Sequence, residues 1–272
     1  MEKEFYKNLK SKTLNDIASG KITYDKLDNI LRADKEIVLE AIRHESFVYY
    51  DVPETLKKDR EIVLASLKKY GLMLEFVSDK LKKDREIVFT AVKQCGFALK
   101  YADKIFKEDK EIVHEAIKSD GWALQFVGNK FFRDPEFLFL AVKYHGYAFE
   151  LLPKKYKKDK TFIEKCIKEH GYILRFIDPK LRLNYLFLEK LVKINGYCLK
   201  YIPNEFKDDV NLALLAVKQN GLSISFIESD LRKNKEIIIE AIKQNRESYD
   251  FVDNSMKLDK DVSAAFMQYS MI

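Results

Sequence analysis

A block of 25 residues recurs nine times without an insertion or deletion, and this strict period constrains the fold more than any other feature of the chain. The blocks begin at Asp34, Asp59, Asp84, Asp109, Asp134, Asp159, Asn184, Asp209 and Asn234. A tenth starts at Asp259 and covers one helical pattern (DKDVSAAFMQYSMI), while Leu31-Arg32-Ala33 matches the end of a repeat. A unit this short buries too little apolar surface to fold alone, so successive units must stack and share a core. The expected organisation is a helical cap over 1–33, nine tandem repeats over 34–258 and a half-repeat cap over 259–272.

With the leading Asp or Asn counted as position 0, each repeat reads as a helix, a turn and a second helix. Position 0 is an N-cap whose side-chain oxygen accepts from the first free amides. Pro135 stands at position 1, where a helix tolerates proline, and Glu at position 2 in six repeats favours the positive end of the helix dipole. Apolar residues then fall at 3, 4, 7 and 8, as in Ile87, Val88, Ala91 and Val92, which is a helical stripe and not strand alternation. Small residues at position 7, such as Ala91, Ala116, Ala141 and Cys166, let neighbouring helices approach closely. Glycine at position 12 in seven repeats reads as a left-handed helix stop. A shorter second helix follows (Phe97-Ala98-Leu99-Lys100-Tyr101-Ala102), with proline ending it at Pro53, Pro153 and Pro203. An apolar anchor at position 22, such as Leu81, Phe106, Tyr156 or Phe206, closes the unit. The fold class expected is all-α, a right-handed-type α-solenoid of nine and a half 25-residue helix-turn-helix repeats.

Composition agrees with a packed helical array. Hydrophobic residues make up 47% and charged residues 34% of the chain, which excludes disorder, and nine Gly with five Pro are too few for a many-stranded sandwich. Cys95, Cys166 and Cys198 lack paired spacing and fit a reducing compartment. The charged start MEKEFYKNLKSK has no signal-peptide pattern, and no apolar run approaches the length of a transmembrane helix, so a cytoplasmic protein is expected.

The phrases DREIVFTAVKQCGFALKYA, DKEIVHEAIKSDGWALQFV and LLAVKQNGLSISFI resemble the repeat of domain of unknown function 4116. Departures from that pattern lie at Ser46 and Arg246, which replace the glycine, and at Asn184-Tyr185-Leu186, which lacks the acidic start. The resemblance implies a repeat scaffold. Members occur in intracellular bacterial pathogens, some as secreted effectors, and in protists, which would place an effector in the host cytosol. The family carries no established activity.

Catalytic motifs are missing: there is no phosphate-binding glycine loop, H-E-x-x-H, G-x-S-x-G or C-x-x-C. A non-enzymatic protein without cofactor or metal is therefore expected. Position 11 holds Cys95, Asp120, His145 and His170 in successive repeats. Stacked equivalents lie roughly 9–10 Å apart, too far to share one zinc, so these residues read as helix-end caps, like Asn195 and Asn220. Aromatic columns at position 13 (Phe97, Trp122, Tyr147, Tyr172, Tyr197) and position 17 (Phe76, Tyr101, Phe126, Phe176, Tyr201, Phe226, Phe251) read as core. With lysines between them they also suit base stacking.

Position 9 is the most informative column. It is basic in every complete repeat: Arg43, Lys68, Lys93, Lys118, Lys143, Lys168, Lys193, Lys218 and Lys243. At about 100° per residue it points away from the apolar stripe, so stacking lines these cations along one strip. Two readings are open. The cations support the structure, complementing helix ends or neutralising acidic residues of a neighbouring repeat; or they form a binding ribbon. For a repeat array without catalytic motifs the partner expected is another protein; the alternative, resting on this column and the net charge of +6, is a polyanion, either nucleic acid or an anionic lipid surface. The oligomeric state is left open.

Overall fold

The computed structural model describes residues 2–45, 47–228 and 230–268. Ser46 and residues 269–272 of the half-repeat lie outside them. The chain is an all-α repeat solenoid, and among the described residues every regular element is a helix. It divides into two compact units, 1–133 and 134–272, with the division falling between the fourth and fifth repeats. The first unit holds the helix Glu2–Ala18 and four repeats; the second holds five repeats and the half-repeat helix Lys260–Gln268.

Each repeat opens on a ten-residue α-helix, as in Arg85–Gln94 of the third repeat or Val210–Gln219 of the eighth. The caps form as the sequence requires. The Asp84 carboxylate accepts from the Glu86 amide at 2.9 Å and the Ile87 amide at 3.2 Å, and Asn234 and Asp59 act likewise. The expected stripe faces inward, with Ile87, Val88, Ala91 and Val92 fully buried. Phe106, Phe131 and Tyr156 anchor the ends of their repeats in the core.

The second helix is not an α-helix. In every repeat after the first, positions 12 to 17 form a six-residue 3₁₀ helix, such as Gly96–Tyr101, with Ala98 N donating to Cys95 O at 2.9 Å. A 3₁₀ helix repeats every three residues, so Gly96 and Leu99 line one face, and that face is buried. This shift of period corrects the aromatic columns. Positions 13 and 17 stand on the flanks of the 3₁₀ helix, where Phe97 and Tyr101 are half-buried and Phe76 is 48% exposed. The core beneath is filled by positions 14, 15 and 18, such as Ala98, Leu99 and Ala102.

The glycines serve another purpose than expected. Position 11 ends the α-helix in an extended conformation (Cys95 φ −148°, ψ 108°), and among the described glycines only Gly20 has a positive φ. What excludes a side chain is the next repeat. A Cβ on Gly71, Gly96, Gly196 or Gly221 would overlap the position-7 carbonyl oxygen of Ala91, Ala116, Ala216 or Ala241. Small residues at position 7 and glycine at position 12 are thus two sides of one close backbone approach. Where position 7 changes, so does its partner. Gly171 precedes the repeat carrying Leu191 and faces the Asn195 side chain at 3.1 Å instead. At the last junction Arg246 replaces glycine and lies over the ring of Phe266, the position-7 residue there.

Candidate functional site

The position-9 cations stand in the last turn of each long helix, and all nine are exposed. Their role depends on where the acidic caps find their counter-charge. Lys10 of the N-terminal helix reaches Asp34 at 2.9 Å and Glu36 at 3.0 Å, and Lys35 reaches Asp59 at 2.8 Å and Glu61 at 2.9 Å. Arg60 pairs with Asp84 at 2.9 Å and also with Glu86; Arg85 pairs with Asp109 and Glu111. In the second unit Lys235 bridges Asp259 at 2.9 Å and Asp261 at 2.8 Å. At these junctions the cation at position 1 therefore neutralises positions 0 and 2 of the following repeat. The Arg60 guanidinium, aided by the Ile87 and Glu86 amides, holds the Asp84 carboxyl below its ordinary range against some desolvation.

This arrangement corrects one part of the structural reading of position 9, the neutralising of a neighbouring repeat's acidic caps, since these acids are held by a different column. Arg43, Lys193 and Lys243 turn back on their own helices, to Glu40 at 2.7 Å, Glu189 at 2.6 Å and Glu240 at 2.8 Å. Among the described residues Lys68, Lys93, Lys143, Lys168 and Lys218 form no ion pair. Sequence reasoning missed the position-1 column, although its signal is present: a cation followed 24 and 26 residues later by two acids.

In the first unit the cations border grooves between adjacent long helices. One groove of 380 Å³ is lined by Leu39, Arg43, Glu61, Leu64, Ala65 and Lys68; another, of 490 Å³, by Lys68, Glu86, Phe89, Thr90 and Lys93. Position 5 supplies an apolar floor, position 9 a basic wall and position 2 an acidic wall already paired. In the second unit position 5 stays apolar at Phe139, Leu214 and Ile239 and is acidic in the two repeats between Phe139 and Leu214. Glu164 pairs with Lys190 at 2.6 Å, Glu189 with Lys193, and Lys165 lies over the Phe139 ring at 4.0 Å.

The other columns hold the stack together. Gln94 of the third repeat accepts from the Gly71 amide at 2.5 Å and donates to Lys69 O at 2.8 Å. Ser119 and Gln219 accept likewise from Gly96 and Gly196. At position 11, Asp120, Asn195 and Asn220 cap the 3₁₀ helix that follows them, accepting from Trp122, Tyr197 and Leu222, rather than closing the helix before. His170 Nε2 donates to Lys143 O of the preceding repeat at 3.1 Å. Rings meet between neighbours, Phe97 with Phe126 at 4.8 Å and Tyr197 with Phe226 at 4.9 Å, and Lys100 and Lys200 lie against them. The Cys166 and Cys198 thiols are buried, and burial pushes Cys166 up to about 12, so neither offers a thiolate near neutral pH. Among the described residues no helix is long and apolar enough to cross a membrane.

A family model described as a domain of unknown function (DUF4116) matches residues 34–82, 59–107, 84–133, 109–157, 134–182, 184–232 and 209–257. Comparison with curated proteins and with solved structures returned no match.

Proposed function

Because the chain belongs to the DUF4116 family, whose description assigns no function, we propose a reading from its own residues: a non-enzymatic scaffold that binds another protein along the faces of its long helices. The carrying observation is the set of exposed, unpaired position-9 lysines beside acids that position 1 already neutralises. A cation without a partner contributes little to the stack, yet it supplies steering and register to an incoming surface. Repeat arrays lend themselves to such use because each unit adds the same increment of surface.

The test is a fourfold variant, Lys68→Glu, Lys93→Glu, Lys143→Glu and Lys168→Glu, compared with the parent chain in co-purification from cells that express it natively. The expected result is a protein partner retained by the parent and lost by the variant, with helical circular dichroism unchanged. A partner indifferent to the reversal, or turnover of a substrate by the purified chain, overturns the reading. A second reading, binding of a polyanion, draws on Lys143, Lys168 and Lys218, which are exposed and unpaired in the second unit. Each phosphate neutralised would release counterions, so retention that falls steeply with salt and disappears on nuclease treatment identifies that case.

A further inference from the structure

Two grooves of the first unit offer more than charge. Lys68 and Lys93 stand on their rims, and Leu64 and Phe89, half-buried, form their floors. On the opposite wall Glu61 and Glu86 are held by Lys35 and Arg60 of the preceding repeats, so the groove presents unbalanced positive charge beside an apolar strip. A phosphodiester chain matches only the first of these features. It carries charge at every unit and has no apolar side chain for the floor. A protein segment with acidic and apolar side chains in alternation matches both.

The period of the stack also selects the conformation. Packed helices lie roughly 9 Å apart, which is about the advance of one turn of polyproline II helix, three residues at about 3.1 Å each. Residues three apart in that conformation share a face, whereas in a flat strand they point to opposite sides. Resting on the protein-scaffold reading, we propose that the unit spanning 1–133 binds an extended acidic segment in polyproline II conformation, with a carboxylate at every third residue. Successive carboxylates meet Lys68 and Lys93, and the apolar residues between them cover Leu64 and Phe89. The repeats carrying Glu164 and Glu189 do not take this segment, because a carboxylate replaces the apolar floor there.

The experiment uses the full chain and a labelled peptide of Glu-Leu-Pro triplets, read by fluorescence anisotropy. The controls are a peptide of the same composition with the order scrambled and a single-stranded oligonucleotide of equal charge. The expected result is preferential binding of the triplet peptide. Leu64→Ser and Phe89→Ser should each weaken it roughly tenfold, the worth of a half-buried apolar contact. Lys68→Gln with Lys93→Gln should remove most of the binding, while Lys154→Gln with Lys180→Gln, exposed lysines of the second unit outside the position-9 column, leaves it unchanged. Equal binding of the scrambled peptide, tighter binding of the oligonucleotide, or equal loss from the second-unit pair overturns the proposal. Should the triplet peptide fail while the parent chain retains its protein partner in the co-purification, the segment assignment falls and the scaffold reading stands. Loss of both overturns both.

Discussion

Gly96 and Gly171 occupy the same position of their repeats, yet they are glycine to different degrees of necessity. At Gly96 an added methyl group meets the Ala116 carbonyl, a backbone atom that cannot move without shifting a helix. At Gly171 it meets the Asn195 side chain and the Cys198 amide nitrogen, each at 3.1 Å, contacts that ask for a shift of only a few tenths of an ångström. Neither residue has the left-handed φ that would itself penalise alanine. Gly96→Ala should therefore cost about 1–3 kcal/mol, as overpacking does, and Gly171→Ala distinctly less. Chemical denaturation of the two variants checks this. Equal losses would mean that the backbone conformation, not the neighbouring repeat, sets the requirement.

The long helix and the 3₁₀ helix are coupled across repeats by one polar side chain at position 10. Gln94 satisfies the Gly71 amide and the Lys69 carbonyl together, closing the start of one 3₁₀ helix and the end of one α-helix in the preceding repeat. An unsatisfied, partly buried amide costs more than the bond it loses is worth. Gln94→Leu should lower stability by about 1–3 kcal/mol in urea unfolding, with faster hydrogen exchange at the Gly71 amide than at amides of the second unit. Unchanged exchange at Gly71 would show that water replaces the glutamine without penalty. The same scale explains the six-residue length of the 3₁₀ segment. Its buried face repeats every three residues, a period that the repeat interrupts with an extended residue at position 18, such as Ala102.

Across the molecule the charges form a ladder that is anionic at positions 0 and 2 and cationic at position 1. It is continuous in the first unit from Lys10 through Arg85. The second unit departs from it at Pro135, Tyr185 and Val210, and the Tyr185 hydroxyl donates to Asp209 in place of a cation. Asp59 and Asp84 have folded-state pKa values below the ordinary range. A carboxyl whose pKa is depressed by folding stabilises the folded state above its unfolded value of about 3.9, and that stability is lost as pH falls through the folded value. Acid unfolding of the first unit should thus begin below about pH 4. Arg60→Gln, which removes the largest cause of the Asp84 depression, should move its midpoint to higher pH. Circular dichroism followed along an acid titration measures the shift, and an unmoved midpoint would show that the backbone amides alone hold Asp84.

What the sequence determines by itself is everything that one unit dictates internally. The 25-residue register, the Asp and Asn caps, the buried stripe of Ile87, Val88, Ala91 and Val92 and the outward column of Lys68 and Lys93 follow from a helical period and local hydrogen bonding. The tertiary structure decides what lies between units. The glycine at position 12 looks like a helix stop until the Ala116 carbonyl is seen against Gly96. The aromatic columns look like core until a 3₁₀ period turns Leu99 inward and leaves Phe97 on the flank. Lys68 and Arg60 look equally suited to neutralise a cap, and only the offset of the next helix gives Asp84 to Arg60 and leaves Lys68 unpaired. Local period fixes which way a side chain points; the translation and rotation from one repeat to the next fix what it meets there. That operation is set by the packing of all buried columns at once.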